Sequence, residues 1–144
     1  MLVSEKNMVK QDIFYFISKC KTAFIASVNE AGYPVVRAML APRKIEGNAL
    51  YFTTNTSSQK VKQYLANGKA CVYFYRRGLV KYQGVCLFGE MEVCTDQPTK
   101  DAIWRSGDQM FYKQGVTDPD YCVLRLKCTA AECYCDLKTE TIAF

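Results

Sequence analysis

A run of hydroxyl side chains followed by a lysine is the first group of residues in this sequence that could bind a ligand. Thr53 and Thr54 end an apolar stretch, residues 56–58 are all Ser or Thr, and Lys60 follows where the first turn of a helix is expected. Free backbone N–H groups at a helix start, hydroxyls and an ammonium group together suit a phosphate monoester. An ordinary serine-capped helix with a solvated lysine has the same residue types, so both interpretations stay open.

A single arginine within an apolar strand pattern is the second candidate. In an extended strand Arg37 shares one face with Val35 and Met39, so its guanidinium lies among apolar neighbours. A cation in that position predicts a bound anion. An edge-strand arginine whose head group reaches water is the alternative.

Aromatic residues supply a third, weaker candidate. Tyr73, Tyr75 and Tyr82, with Gln83, could line a slot that has aromatic walls and one amide for hydrogen bonding. Cores rich in β structure also use tyrosine routinely, and residue type does not separate the two interpretations.

Histidine is absent from the chain, whereas cysteine is abundant. The absence of histidine excludes Ser-His and Cys-His nucleophilic catalysis and removes the commonest metal ligand. Single cysteines within apolar stretches predict buried free thiols; they stand at positions 20, 71, 86, 94, 122, 128, 133 and 135. Cys133 and Cys135 share a strand face, but no second pair stands at zinc spacing, so we expect no metal site. Any chemistry must therefore come from a cofactor or from other side chains.

Composition limits the protein class. The 144 residues are 49% hydrophobic and 13% aromatic, which predicts one globular domain over residues 1–144 and excludes a disordered chain. The net charge is +5 and adjacent basic residues occur only at Arg43-Lys44 and Arg76-Arg77, so we expect no nucleic-acid partner. No apolar run is long enough for a membrane span, and charges throughout residues 1–20 argue against a secretory signal. We expect a cytoplasmic protein.

The elements that position these residues are mostly strands. Periodicity predicts helices over residues 4–20, 59–66 and 96–104, and a helical turn over 108–114. Strands are predicted over 22–28, 33–41, 49–54, 70–75, 80–94, 121–127 and 132–137, with turns at 29–32 and 42–48 and a loop at 118–120. Gly84 and Gly89 lie inside a long strand and suggest bulges in a bent sheet. The sequence thus predicts a mainly β barrel with flanking helices.

Five motifs in this order resemble the FMN-binding split barrels related to pyridoxamine 5'-phosphate oxidase. They are residues 24–28 (FIASV), 32–34 (GYP), 36–39 (VRAM), 50–55 (LYFTTN) and 58–60 (SQK). The second half is similar to the general stress protein subgroup in Trp104, residues 111–112, Gly115, and residues 118–120 and 123–126. The resemblance extends over nearly the whole chain.

The resemblance implies a six-stranded split β-barrel that forms a homodimer, with FMN in two symmetric sites at the subunit interface. The cofactor-binding residues it implies are Arg37, Ala38, Met39, Thr53, Thr54, Ser58, Lys60 and Gln83. Residues 37–39 would run beside the flavin and its ribityl chain, and residues 53–54 would contact it from a neighbouring strand. Ser58 and Lys60 would hold the phosphate, and Gln83 stands near the position of an amide that faces the ring.

Three departures from the family pattern narrow the expected activity. Gln59 stands where oxidase members have a basic residue, and Tyr134-Cys135 replaces an aromatic-Trp pair. The tail over residues 137–144 lacks the arginine and histidine that pyridoxamine phosphate oxidases direct at their substrate. Oxidation of vitamin B6 itself is therefore not expected.

The function implied is a flavoprotein oxidoreductase that transfers hydride or electrons between a nicotinamide nucleotide, or another donor, and a small-molecule acceptor. No side chain is assigned as catalytic. A flavin-binding or sensing protein without turnover is one alternative. A split barrel with haem or a deazaflavin is another, although haem lacks its usual histidine ligand here. Nitroreduction of the nitroimidazole-resistance type has no residue that singles it out.

Overall fold

The computed structural model describes residues 10–78 and 82–144, which form one antiparallel sheet with helices around it. The described strands are β1 Thr22–Val28, β2 Pro34–Leu40, β3 Lys44–Glu46, β4 Ala49–Asn55, β5 Lys69–Arg77, β6 Tyr82–Cys94, β7 Tyr121–Cys135 and β8 Lys138–Ala143. The helices are α1 Lys10–Ser18, α2 Gln59–Ala66 and α3 Gln97–Ile103, with 3₁₀ turns at Asp108–Met110 and Gly115–Thr117. The predicted mainly β fold is confirmed.

The order of the strands leaves the sheet open at one seam. Hydrogen-bonded neighbours follow the order β2-β1-β5-β6-β7-β4-β3. Strand β8 pairs with residues 130–135 of β7, whereas β4 pairs with residues 121–127 of the same strand. Across the described part of the chain no pairing joins β2 to β3, so these two strands are the edges of the sheet. Helix α2 packs on β1 and β6 near this opening.

Alternation along each strand separates a core face from an outward face. In β1 the inward residues Ala23, Ile25 and Ser27 are almost fully buried, and β2 contributes Val35, Arg37 and Met39 to the same face by register. Helix α1 adds Ile13, Phe16 and Ile17, which are fully buried. The apolar core therefore lies inside the curved sheet, and among described helices none is long and apolar enough to cross a membrane.

Most predicted elements are present with close boundaries, but three differ. Residues 42–48, predicted as a turn, contain strand β3, which pairs with β4. The two predicted closing strands are one continuous strand, β7, and the residues after 137, for which no element was predicted, form β8. Six strands have seven or more residues, so β3 and β8 are short additions. Residues 4–9 of the first predicted helix and 80–81 of the long strand lie outside the described residues.

Gly89 allows β6 and β7 to approach closely at an irregularity in their pairing. The register shifts between Phe88 and Gly89, and a Cβ at Gly89 would stand 2.0 Å from the carbonyl oxygen of Lys127. Only glycine fits there, because any side chain would collide with backbone. The bulge predicted at Gly89 is confirmed, whereas the register runs without a shift through Gly84.

An ion pair buried beside β3 holds the segment after α3 against the sheet. Both terminal nitrogens of Arg43 donate to the carboxylate of Asp108, one of them to Oδ1 at 2.7 Å. The same carboxylate accepts the backbone N–H of Arg105 at 2.9 Å. These donors hold the pKa of Asp108 below its ordinary value, with the Arg43 hydrogen bond as the largest cause. Sequence analysis did not single out either residue.

Replacing Asp108 by Asn should lower the free energy of unfolding by about 3 kcal/mol at neutral pH, because Arg43 would remain buried without a counter-charge. A carboxyl whose folded pKa is lowered stabilises above its unfolded value, near 3.8, and loses that contribution as pH falls through the folded value. The difference in free energy of unfolding between the native protein and Asp108→Asn, measured by urea denaturation, should therefore be smaller at pH 3 than at pH 7.

Glu46→Gln is the matched control, because Glu46 pairs with Lys44 on the exposed surface. It should change stability little at either pH. A loss in Asp108→Asn that is the same at pH 7 and pH 3 would contradict the ion-pair explanation.

Candidate functional site

Arg37 lies on the inward face of β2 and is held there by neutral partners. Its Nη1 donates to Ser27 Oγ at 2.9 Å, and its Nη2 donates to Gln63 Oε1 at 3.2 Å. Ser27 also donates its hydroxyl to Gln63 Oε1. Within the described residues no carboxylate forms an ion pair with Arg37. The three side chains therefore fix the guanidinium without neutralising it, which is the state expected of an anion site.

Lys60 brings a second positive charge close to the first. Burial lowers the pKa of Lys60, the positive charge of Arg37 lowers it further, and the Cys122 thiol opposes both effects. Arg37 belongs to β2, which is one edge of the sheet. Cys122 belongs to β7, which is the third strand from the other edge, after β3 and β4. Lys60 thus lies across the open seam between the two sides of the sheet. A bound anion would relieve the repulsion between the two cations.

Ser58 occupies the cap position of α2 but does not cap it. Its backbone is extended, with φ −72° and ψ 154°, and its side chain makes no capping hydrogen bond. The Ser58 Oγ is buried, and within residues 10–78 and 82–144 it has no hydrogen-bond partner. Asp96 shows the usual arrangement at α3, because its carboxylate accepts the N–H of Thr99 at 3.1 Å. The predicted serine cap is wrong in this detail, and an orphaned buried hydroxyl calls for a ligand.

A loop distant in sequence positions the residues that precede α2. The Thr56 N–H donates to the carbonyl of Asp120 at 2.7 Å, and the Ser57 N–H donates to Asp120 Oδ1 at 2.8 Å. The Thr56 hydroxyl donates to the carbonyl of Pro119 at 3.0 Å. Residues 118–120, predicted only as a loop, therefore determine where Ser58 and Lys60 stand.

The loop formed by residues 118–120 is itself held in place by Asp118 and Lys100. Asp118 accepts the N–H groups of Asp120 at 2.9 Å and Gln114 at 3.1 Å, and these backbone donors lower the pKa of its carboxyl. The buried Lys100 donates from Nζ to the carbonyl of Asp118 at 2.9 Å. The sequence pattern did not predict the contacts made by Asp120 and Lys100. An Asp-Pro-Asp sequence predicts a turn, but it does not indicate which distant residues the turn contacts.

The two predicted threonines point to opposite faces of β4. Thr54 is buried beside Cys122 on the inward face, and Thr53 pairs with Val123 on the other face. Only the Thr54 side chain therefore points toward the core and the seam.

Residues 37–39 alternate in the same way, so Ala38 is exposed on the outward face while Met39 packs against the core. Only backbone atoms of Ala38 are available to a ligand at the inward site.

Gln83 is not near the other predicted residues. It lies on β6, three strands from β2, which is about 14 Å across the sheet. Its amide donates to Cys135 Sγ at 3.3 Å. The rings of Tyr82 and Tyr134 stack close by at 5.0 Å, and Tyr73 lies over Gly84, where a Cβ would stand 2.2 Å from its hydroxyl. The structure thus contains two clusters, a cationic one at the seam and an aromatic one around β6.

Replacing Ser58 by Ala should leave the free energy of unfolding of the ligand-free protein unchanged or raise it by about 1 kcal/mol, because the hydroxyl is buried without a partner. A capping serine would show the opposite sign. Ser27→Ala is the control: Ser27 is 1% exposed and its hydroxyl is paired, so its loss should cost about 1–3 kcal/mol. If urea denaturation shows that both variants are destabilised equally, the conclusion that the Ser58 hydroxyl lacks a hydrogen-bond partner is wrong.

The profile of the family described as pyridoxamine 5'-phosphate oxidase matches residues 9–135. Among curated proteins none matches the sequence. A protein from Clostridium acetobutylicum, described as related to general stress protein 26 of B. subtilis and assigned to the pyridoxinephosphate oxidase family, is 29% identical; 93% of each chain superposes with a TM-score of 0.80.

Two further structures share the fold at lower identity. A pyridoxamine 5'-phosphate oxidase-related, FMN binding protein from Nostoc punctiforme is 16% identical, with a TM-score of 0.71 over 97% of this chain and 98% of that one. A heme binding protein from Mycobacterium smegmatis is 11% identical, with a TM-score of 0.70 over 89% of this chain and 55% of that one. At such identities the likeness concerns the fold alone.

Proposed function

The chain belongs to the pyridoxamine 5'-phosphate oxidase family of FMN-binding split barrels, and from that premise we propose that it is a cytoplasmic FMN-dependent oxidoreductase. The proposal rests on one observation above all: the orphaned Ser58 hydroxyl lies at the start of α2, beside the unpaired charges of Lys60 and Arg37. When bound, FMN supplies hydride or electron transfer.

The residues at the seam fit a phosphate dianion. Ser58 would donate its free hydroxyl, Lys60 would donate from its ammonium group, and Arg37 would add charge from β2. Gln59, which replaces a basic residue of the oxidase members, leaves these two cations as the charged part of the site. The hydrogen bond that Asp120 accepts from the Ser57 N–H holds the segment before α2 in place. The Ser58 and Lys60 donors therefore need little rearrangement to bind a phosphate.

The remaining seam residues fit the less polar part of the cofactor. Met39 and Thr54 lie on inward faces at the two sides of the seam, and the backbone of residues 37–39 runs along its edge. Apolar packing around Met39 would keep water from the flavin. None of these side chains is a proton donor suited to a substrate, so we assign no catalytic residue.

A homodimer would bring Gln83 of one copy to the cationic seam of the other. In one chain Gln83 lies three strands from Arg37, and the family places an amide near this position against the flavin ring of a shared site. The outward side of β2 offers a surface for that copy, the β2 patch, formed by Val36 and Leu40, which are 64% and 80% exposed. An edge strand with such an apolar face favours association.

The chain's own residues argue for a substrate other than vitamin B6. The carboxy-terminal segment contains no arginine or histidine and pairs with β7 as strand β8. A reduced nicotinamide nucleotide is the proposed donor and a small molecule the acceptor. Haem is disfavoured because the chain has no histidine, and Tyr or Cys would have to serve as ligand.

The cofactor should be identified from the visible spectrum of the purified protein and the mass of the group released on denaturation. Arg37→Ala and Lys60→Ala should each weaken FMN binding about tenfold or more, because each removes a charge-assisted contact. Lys62→Ala, an exposed lysine of the same helix, should leave the affinity unchanged. Unchanged affinity in the Arg37/Lys60 double variant would overturn the site, and flavin that NADH and NADPH fail to reduce would favour a binding protein without turnover.

If two chains form each site, FMN affinity should fall as the protein is diluted through the dissociation range of the dimer. Leu40→Glu should move that range to higher concentration, because it places a charge in the β2 patch. Leu65→Glu alters an equally isolated exposed leucine on α2 and serves as control. A monomer in sedimentation equilibrium that still binds FMN at full affinity would refute the shared site.

A further inference from the structure

Gln63 connects helix α2 to the two strands that meet at the inward arginine. Its Oε1 accepts a hydrogen bond from Arg37 Nη2 at 3.2 Å and another from the Ser27 hydroxyl. The Ser27 oxygen in turn accepts from Arg37 Nη1 at 2.9 Å. The three side chains therefore form a closed hydrogen-bonded ring that joins α2, β1 and β2.

The ring fixes which way the Gln63 amide faces. An amide oxygen has two lone pairs, and both accept here, one from Arg37 and one from Ser27. Turning the amide over would set its own N–H groups against these two donors, so the amide nitrogen points away from Arg37. Gln63 also lines a groove of about 640 Å³ between α2 and residues 28–31 of the β1–β2 hairpin, so this side chain is open to solvent on one side.

Arg37 keeps most of its hydrogen-bonding capacity within the ring. A guanidinium has five N–H donors, of which the ring uses one on each terminal nitrogen. Over the described ranges no carboxylate pairs with it. Burial lowers the pKa of Lys60 and raises that of Tyr64, and the positive charge of Arg37 acts to lower both. The guanidinium is thus held in place while its charge stays available to a ligand.

A neutral acceptor at position 63 is not the most stable choice for the ligand-free protein. Glutamate has the shape of glutamine and would place a carboxylate where the amide oxygen now lies, 3.2 Å from Arg37. A charge-assisted hydrogen bond is stronger than one to a neutral amide. Giving up such stability is typical of positions that serve binding. The amide is therefore the group that holds the guanidinium without neutralising it.

We propose that Gln63 is the positioning residue that makes the seam selective for a flavin that carries a phosphate group. It acts through Arg37, whose charge it leaves for the phosphate. The inference rests on the proposed function, because its ligand is the FMN of that site. A phosphate dianion gains from the charges of Arg37 and Lys60, whereas riboflavin, the same flavin without the phosphate, gains nothing from them.

Other contacts seat α2 on the sheet, so a substitution at position 63 changes the charge beside Arg37 and leaves the helix in place. The Tyr64 hydroxyl donates to the carbonyl of Ala26 at 2.9 Å, and Tyr64 is buried. Val61 is buried in the core on another side of the helix. Neither contact involves the Gln63 side chain.

The test compares the native protein with Gln63→Glu and measures the affinity for FMN and for riboflavin by calorimetric titration. We expect the FMN affinity to fall by about tenfold or more, because the new carboxylate pairs with Arg37 and repels the phosphate. Riboflavin affinity should change by less than about twofold, because riboflavin carries no charge. The urea midpoint of the ligand-free protein should rise, because Arg37 gains a counter-charge.

Asn67→Asp is the matched control. It makes the same amide-to-carboxylate change on the same groove, and its Oδ1 accepts the Lys69 N–H, which an aspartate also accepts. It should leave the affinity for both flavins unchanged. Gln63→Leu removes the acceptor without adding a charge, so it should lower both the urea midpoint and the FMN affinity. A purely structural role would make FMN affinity follow stability in every variant, whereas we expect opposite changes in Gln63→Glu.

Inorganic phosphate separates this inference from the proposed cofactor. Phosphate should raise the urea midpoint of the native protein and not that of Gln63→Glu. That result in a protein that fails to bind FMN would support Gln63 as the residue that keeps Arg37 free for a phosphate, and would reject FMN as the source of that phosphate. Three results would overturn the inference while leaving FMN binding by the native protein intact. They are equal FMN affinity in the native protein and Gln63→Glu, an equal loss of riboflavin affinity, and a urea midpoint that falls in Gln63→Glu.

Discussion

Two positive charges without a carboxylate between them define the seam of this sheet. The charge of Arg37 on β2 lowers the pKa of Lys60 on α2, and the buried hydroxyl of Ser58 near Lys60 has no hydrogen-bond partner among the described residues. Such an arrangement costs stability, because both desolvation and repulsion disfavour it. It is the arrangement that the proposed phosphate site requires.

The cost is offset by interactions that hold the cations where they are. Gln63 and Ser27 fix the guanidinium, and the carboxylate and carbonyl of Asp120 fix the segment that leads into α2. Those contacts require the 104–120 segment to lie against the sheet, which the Arg43–Asp108 pair ensures. Preorganised donors of this kind give affinity because little conformational entropy is lost on binding.

The two faces of the sheet have different chemistry. The inward face combines the apolar core with the cationic seam, whereas the outward face of β5 and β6 presents tyrosines and the half-buried Cys71 and Cys86. Strand alternation produces this division, because neighbouring residues in one strand point to opposite sides.

The sequence by itself determined the strands and helices formed by clear periodicity, the hydroxyl and ammonium groups at the start of α2, the isolated Arg37 and the family. It missed β3 and β8, which depend on pairing with β4 and β7 rather than on their own short patterns. Tertiary structure alone decided that Ser58 does not cap α2, that Asp120 holds the loop and that Gln83 stands apart from Arg37. Each of these depends on contacts between residues far apart in the chain, whereas propensity and periodicity report only on neighbours within a few residues.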